Sequence, residues 1–515
     1  MKLVKAMATV AGMTGLSRIA GFARDVLTAA YLGAGPVGDA FFVALKIPNL
    51  FRRITAEGAF SIAFVPVYSK KLETDSQIQT DAFASNMLMV MLSALSVFTF
   101  VALIFMPLLI RAIAPGFADD PAQVNLAVEL TRVTFPYLLF MSMTALLGGV
   151  LNAMNRFAPF AFAPVLFNLS LIIALLLSDL FETAGHAMAY GLFASGILQF
   201  VFLLICVRRA GVKIKMALPR FDADVKKIMY LMGPAVIGAG VVHINLFADI
   251  IIASFLQEGS ISYLYYADRL NQLPLGIVGI AVGTALLPML SRAMVQEDKS
   301  EARHLFNRSL EYCMLLALPA AVALAVMPLT LITVLFERGE FTPEDSAMTA
   351  KVLSAYALGL PAYIAIKVFS TAHWSREDTK TPVRISMIAT AMNIALSLAL
   401  IGFMGVVGIA LATGLTAWVQ IYLHIKALKK HPTAHFDAKF LRNMPKIIGA
   451  SCVMGLTVYI LAALMSDIII DGDIFTKIGA LCCIILAGAL IYASAILLSS
   501  VVKVSDVKRY LLKRS

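Results

Sequence analysis

Long apolar runs alternate with short polar connections along almost the whole chain, and each run is near the 20 residues that cross a hydrocarbon core. With a window of about 19 residues, and with Gly, Pro and charge as punctuation, the pattern predicts fourteen membrane-spanning helices. Their limits are about 7–33, 37–67, 84–112, 124–153, 158–180, 185–207, 226–256, 261–291, 308–336, 347–373, 383–402, 405–425, 444–466 and 475–502. The expected fold class is therefore an all-α polytopic membrane protein.

The first two runs carry charges that the others lack. Between Ser17 and Pro66 stand Arg18, Arg24, Asp25, Asp39, Lys46, Arg52, Arg53 and Glu57, and far downstream Asp268 and Arg269 interrupt another apolar run. At roughly 2.5–3.5 kcal/mol for each Arg, Lys or Asp at the centre of a span, the set would cost about 20 kcal/mol or more facing lipid. Such groups are expected to line a wet interior, where intramembrane ionisable residues mark a functional site.

The connections give an orientation. Basic residues gather in the even-numbered ones: Lys70 and Lys71, Arg156, the stretch from Arg208 to Lys227, Arg292 to Arg308, Arg376 to Arg384, and Lys426 to Lys446. The odd-numbered ones are nearly free of them, Arg111 and Arg338 excepted. By the positive-inside rule both termini are expected in the cytoplasm, as an even number of spans requires. Composition agrees with the membrane reading: 60% hydrophobic, 14% charged, mean hydropathy +0.86. The net charge of +11 then reflects topology and lipid headgroup contact, and no nucleic-acid partner is expected. The basic start MKLVKAMATV resembles a signal peptide, but Arg18 breaks its apolar stretch and no small-residue cleavage site follows, so it is expected to be retained. Cys206, Cys313, Cys452, Cys482 and Cys483 lie in apolar stretches without metal-ligand spacing and read as reduced thiols; no metal site is expected. His243 reads as a satisfied core histidine.

The chain also repeats itself. Ala63–Lys70 and Ala285–Arg292 share the pattern A-x-x-P-x-x-S-basic, and Met106-Pro107-Leu108 recurs as Met327-Pro328-Leu329. Pro136-Tyr137 finds Pro361 and Tyr363; Asn155-Arg156, Pro164-Val165 and Asn168 find Ser375-Arg376, Pro382-Val383 and Asn393. Every offset is near 220 residues, and six spans fall in each unit, so the halves share one orientation. The expected organisation is an N-terminal lobe over 1–220, a C-terminal lobe over 221–430, and an appendage of two spans with a basic tail over 431–515. Two six-helix lobes around a central cavity are the architecture of a transporter, with the charged second span facing Asp268 and Arg269 across it.

Asp39, Lys46 and Arg53 are spaced by seven and share nearly one helix face, joined by Asn49 and Glu57. Pro48 should kink that helix. Part of the set reads as internal pairs: Asp39 with Lys46, Arg53 with Glu57, and Asp25 or Asp268 with an arginine. Six positive groups (Arg18, Arg24, Lys46, Arg52, Arg53, Arg269) against four negative ones (Asp25, Asp39, Glu57, Asp268) leave two positive charges over. The planar fork of arginine suits phosphate oxygens, so the surplus points to a phosphate-bearing ligand rather than an organic cation.

SRIAGFARD, GDAFFVALKIPNLFRRITAEGAFSIAFVP, APGF at 114–117, NRFAPFAFAP and YYADRLNQLPLGIVGIAVGTALLP together resemble the MurJ (MviN) family of lipid II flippases, within the multidrug/oligosaccharidyl-lipid/polysaccharide exporter superfamily. The resemblance covers essentially the whole chain. It implies residence in the bacterial inner membrane and export of the undecaprenyl-diphosphate disaccharide pentapeptide, lipid II, during peptidoglycan synthesis and cell-shape maintenance. It further implies that Arg18, Arg24, Arg52 and Arg269 are the substrate-binding arginines, with Asp39, Lys46, Arg53, Glu57 and Asp268 in supporting roles; Asp25 and Asn49 join this second set. The last two spans would hold the lipid tail. Gln272 stands where many family members carry glutamate.

The expected mechanism is alternating access by a transporter, not an enzyme: the diphosphate sits on the arginines while the lobes rock. No cofactor is expected, since G-x-x-x-x-G-K-[ST] is missing, and coupling to membrane potential or an ion takes its place. Besides lipid II, membrane lipid and the cell-wall synthesis machinery are the expected partners, and the chain is expected to act as a monomer. The rival readings are a flippase for another polyprenyl-diphosphate glycan, an ion-coupled drug exporter of the same fold, and a membrane-embedded glycosyl- or phosphotransferase. The last would need acidic metal ligands, for which Asp119-Asp120 and Asp222-Ala-Asp224 are the available clusters; loop or helix-cap carboxylates are the plainer reading of both.

Overall fold

A computed structural model describes residues 2–52, 60–281, 286–295 and 299–502. Among them the chain is helical throughout, as a chain in hydrocarbon must be when each segment has to satisfy its own backbone. The first half of the repeat supplies α1 (Lys2–Leu32), α2 (Pro36–Arg52), α3 (Ser61–Thr74), α4 (Gln77–Ile104), α5 (Met106–Ile113), α6 (Pro121–Thr134), α7 (Tyr137–Ala153), α8 (Ala158–Leu176) and α9 (Ala184–Arg209). The second supplies α10 (Ala223–Ser254), α11 (Ser260–Ala281), α12 (Leu287–Val295), α13 (Lys299–Val326), α14 (Pro328–Phe336), α15 (Pro343–Trp374), α16 (Lys380–Met404) and α17 (Val406–Leu428). Beyond it lie α18 (Ala438–Leu464), the short α19 (Ser466–Asp471) and α20 (Ile474–Leu498). Among the described residues, ten stretches are long and apolar enough to cross a membrane, with α6 and α7 together forming one. The charged α1 and the 17-residue α2 are not among them.

The repeat is visible in how these helices break. Pro107 opens α5 just after Phe105 ends α4, and Pro328 opens α14 just after Val326 ends α13. The recurring Met-Pro-Leu is thus a helix breaker: proline has no N–H to donate and is tolerated in a first turn. After α7 the chain turns through Asn155 at φ 59°, and after α15 through Glu377 at φ 61°. The residue following each donates back to a carbonyl five positions earlier, Arg156 to Leu151 and Asp378 to His373. These turns set Asn155 against Glu377, two residues out of step with the sequence match of Asn155 to Ser375. Pro136 separates α6 from α7, whereas Pro361 lies inside the unbroken α15.

By compactness the chain divides into two units, Met1–Ser262 with Arg338–Phe341, and Tyr263–Glu337 with Thr342–Ser515. In the first, α8 packs on α1 and α9, while α10 packs on α3 and α5. So α10, the opening helix of the second half of the repeat, is compact with the first. The core between α3, α4 and α7 holds a stack of aromatic rings, Phe60 on Phe64 at 5.0 Å and Phe64 on Tyr68 at 5.4 Å. Lys71 closes it, its Nζ 5.2 Å from the centre of the Phe83 ring and 2.9 Å from Asp224. The hydrogen bond from that lysine to Asp224 raises its pKa.

In the second unit α15 and α17 approach most closely at Gly359 and Gly414, where a Cβ on Gly359 would lie 2.6 Å from the Gly414 Cα. Small residues of this kind let apolar helices pack without a hydrophobic drive between them. The appendage is fastened to α13 by polar groups. Arg308 donates to both oxygens of Asp437 at 2.8 Å and pairs with Glu311, whose other oxygen accepts from Asn443 at 2.8 Å. Arg303 donates to the carbonyls of His435 and Phe436, and Asn307 accepts from the Asp437 N–H. Further along, Tyr492 of α20 donates to the Leu315 carbonyl at 2.6 Å, and Lys446 of α18 to the Ser499 carbonyl at 2.7 Å.

Arg308→Ala would leave Glu311 buried without its cation. We expect a loss of about 3 kcal/mol, read as a lower thermal midpoint in detergent, with Glu311→Gln milder. Burial pushes the Asp437 carboxyl up, but the Phe440 N–H and Arg308 outweigh it and hold the pKa below the usual carboxylate value. A depressed carboxylate stabilises above its unfolded pKa and loses that contribution as pH falls through the folded one. Acidification below about pH 4 should therefore lower the midpoint of the wild type more than that of Asp437→Asn.

Candidate functional site

The charged positions fall into small, separately built groups. On α1, Arg18 is exposed, whereas Arg24 and Asp25 are 8% and 5% exposed. Neighbouring residues on a helix point about 100° apart, so their pairing requires the long arginine to bend round. It does so, donating to Asp25 Oδ1 from Nη2 at 2.6 Å and from Nε at 3.2 Å. Its Nη1 donates to Asn168 Oδ1 on α8 at 3.0 Å, and its guanidinium lies 5.4 Å from the centre of the Phe167 ring. Asn168 in turn donates to the Ser17 carbonyl at 3.0 Å. Arg24 is thus held in one orientation by a carboxylate, an amide and an aromatic face.

On α2 the expected Asp39–Lys46 pair is not formed. Asp39 is 3% exposed and accepts from the Gly259 N–H (2.8 Å), the Ser262 N–H (2.8 Å) and the Ser262 hydroxyl (2.6 Å). It caps the first turn of α11, whose unsatisfied N–H groups and positive dipole end favour a carboxylate. Gly38 makes the approach possible: a Cβ there would sit 2.8 Å from the Ser262 Oγ. Lower on α2, Asn49 donates to the Leu45 carbonyl at 2.9 Å and accepts from Arg52 Nε at 3.1 Å. Asn49 therefore positions Arg52; Lys46, Asn49 and Arg52 are all half-buried. Arg53 and Glu57 lie outside the described residues, as does the His243 side chain.

On α11, Asp268 and Arg269 are half-buried. Gln272, one turn on, donates to Asp268 Oδ2. An amide there serves as a neutral donor where a glutamate would repel the aspartate. Arg269 lies over the Tyr265 ring at 4.5 Å from its centre, a cation–π contact that leaves the in-plane N–H edges of the fork suited to oxygen acceptors. The sequence reading missed Asn168, Ser262 and Tyr265 as site residues. Asn168 was already marked by its repeat partner Asn393, which instead donates to Thr413 at 2.9 Å. Asn168 and Asn393 thus make different contacts in the two halves.

The comparisons decide the family. The profile described as "Lipid II flippase MurJ" matches residues 28–478. The chain belongs to this family. A "Probable lipid II flippase MurJ" of Rhizobium tropici is 40% identical over 100% of this chain and 97% of its own length. The "Lipid II flippase MurJ" of Burkholderia cenocepacia is 35% identical over 88% and 89% of this chain and its own. A solved structure titled "Lipid II flippase MurJ, inward closed conformation" superposes with a TM-score of 0.79 at 28% identity, covering 94% of this chain and 97% of that one. An inward-facing multidrug transporter of the MATE family matches at TM-score 0.67 and 15% identity over 82% and 99%, a likeness of fold alone. Family membership makes the chain a transporter and a multi-pass protein of the bacterial cytoplasmic membrane.

Asp39→Ala would leave the Gly259 and Ser262 donors without an acceptor and should cost about 1–3 kcal/mol. Asp39→Asn, which keeps an oxygen, should cost less. Thermal melts of the purified variants measure both, and equal midpoints for wild type and Asp39→Ala would contradict the capping role.

Proposed function

We propose that this chain carries lipid II from the cytoplasmic to the outer leaflet of the inner membrane during peptidoglycan synthesis. Full-length membership of the lipid II flippase family carries the reading, and the arginines give it a chemistry. The diphosphate is a dianionic group whose paired acceptor oxygens the forks of Arg24, Arg52 and Arg269 fit, with Arg18 nearer the N-terminal end of α1. As phosphate arrives, Arg24 exchanges contacts with Asp25 for contacts with substrate, while Asn168 and Phe167 keep its aim. Asn49 does the same for Arg52, and Tyr265 for Arg269. Lys46, Asp268 and, from the sequence, Arg53 and Glu57 adjust the charge around them.

The two six-helix halves, 1–220 and 221–430, act as the rocking lobes, and spans 13 and 14 take the undecaprenyl tail. Both termini lie in the cytoplasm. With the substrate bound, the surplus positive charge is neutralised, so ligand binding favours the state in which the two sets of arginines are close. Any net charge moving through the field responds to membrane potential at about 2.3 kcal/mol per charge per 100 mV.

Depletion of the protein should make lipid II accumulate in the cytoplasmic leaflet, and an unchanged leaflet distribution would overturn the reading. Arg24→Ala and Arg269→Ala should abolish complementation while inserting normally. Arg24→Lys should rescue partly, because lysine keeps the charge and loses the fork.

A further inference from the structure

The connection between the two halves of the repeat has no helix or strand from Val212 to Asp222, yet it is pinned along its length to α4. The Lys213 N–H donates to Asp81 Oδ2 at 3.0 Å and the Lys215 N–H to Ser85 Oγ at 3.0 Å. Asn86 brackets Arg220, accepting from its N–H at 2.8 Å and donating to its carbonyl at 2.8 Å. Val212 is buried, and Ile214 packs against the same core. This is a fitted strap rather than a loose linker.

Its outward side has an unusual composition. Met216 is 87% exposed, Leu218 85% and Phe221 61%, with Tyr230 of α10 beside them in sequence at 83%. The strap also exposes Lys213 and Lys215 just before Met216 and Arg220 just before Phe221, flanked by exposed Arg208, Arg209, Lys226 and Lys227. The nearby acids are engaged elsewhere: Asp81 with the strap backbone and Gln77, Asp222 with the α10 N-terminus and Asn86, Asp224 with Lys71. Among the described residues no ion pair takes up the strap cations. Large apolar side chains exposed in an ordered segment mark a contact surface. The strap starts directly after the apolar span Ala184–Arg209, which sets it at the headgroup layer.

We propose that residues 213–221 are a binding strap for anionic phospholipid, with Met216, Leu218 and Phe221 entering the acyl boundary and Lys213, Lys215 and Arg220 holding headgroup phosphates. Apolar and basic residues interleaved at an interface combine burial with electrostatic attraction. Because the strap leads directly into α10, lipid bound there fixes where the second half of the repeat leaves the membrane surface. The inference holds whatever cargo the transporter carries.

The chain has two tryptophans, so Trp374→Phe and Trp418→Phe with Met216→Trp give a full-length protein with a single reporter in the strap. It is reconstituted into phosphatidylcholine vesicles containing brominated phosphatidylglycerol or, at equal mole fraction, brominated phosphatidylcholine. Fluorescence should be quenched by both, and at least about twofold more by the phosphatidylglycerol. Lys213→Glu, Lys215→Glu and Arg220→Glu together should abolish the difference while the protein still elutes as a folded species. Equal quenching by the two lipids in the unaltered strap would overturn the proposal. Absence of quenching by either would do so too, and would assign the surface to a water-soluble partner.

Discussion

A charge placed in hydrocarbon must find a partner within reach of its own side chain, and most of this molecule follows from that requirement. It makes Arg24 bend back to the neighbouring Asp25 and reach to α8 for Asn168. It turns Asp39 to the first turn of α11, where backbone donors await an anion. It builds the Arg308–Glu311–Asp437–Asn443 network at the junction of the repeat and the last helices. In each case at least one partner comes from another segment of the chain, Asn168 for Arg24, Gly259 and Ser262 for Asp39, Asp437 for Arg308, so satisfying the charge also fixes packing. The contacts that make these charges tolerable also fix their orientation.

The same requirement is met by different kinds of partner. Asp39 has three short hydrogen bonds to backbone and hydroxyl donors and is almost wholly buried. It is a structural anion, and its distance along the chain from Lys46 is incidental. Arg52 and Arg269 are only half-buried, and their contacts include a neutral amide at Asn49 and the ring of Tyr265. At Arg24 the partner is instead a carboxylate, that of Asp25.

The all-α membrane class and the 220-residue repeat were legible because hydropathy and motif order are properties of the chain read in one dimension. Met-Pro-Leu was visible as a repeated motif, but its effect, a broken helix in each half, needed the backbone. The Asp25–Arg24 pair was within the alternatives that spacing allowed. The Asp39 partners were not, because a helix N-terminus some 220 residues away advertises itself by geometry, and glycine and serine carry no charge to look for. The allegiance of α10 was hidden for a related reason. In lipid the apolar surfaces of α3, α5 and the second-half helices are equivalent to hydropathy, so sequence pattern assigns a helix to a repeat but not to a neighbour.

The attachment of α18 and α20 bears on how the protein is made. These helices stand outside the repeat and look expendable. Yet Arg308 and Glu311, on a helix of the repeat, draw their remaining partners from Asp437 and Asn443, which leave the ribosome more than a hundred residues later. Until that segment arrives, α13 carries an incompletely matched cluster of charge and amide groups at the edge of the bilayer. The final helices thus complete the membrane compatibility of an earlier one, and a nascent chain arrested before Ala438 would be a substrate for membrane quality control rather than a smaller transporter.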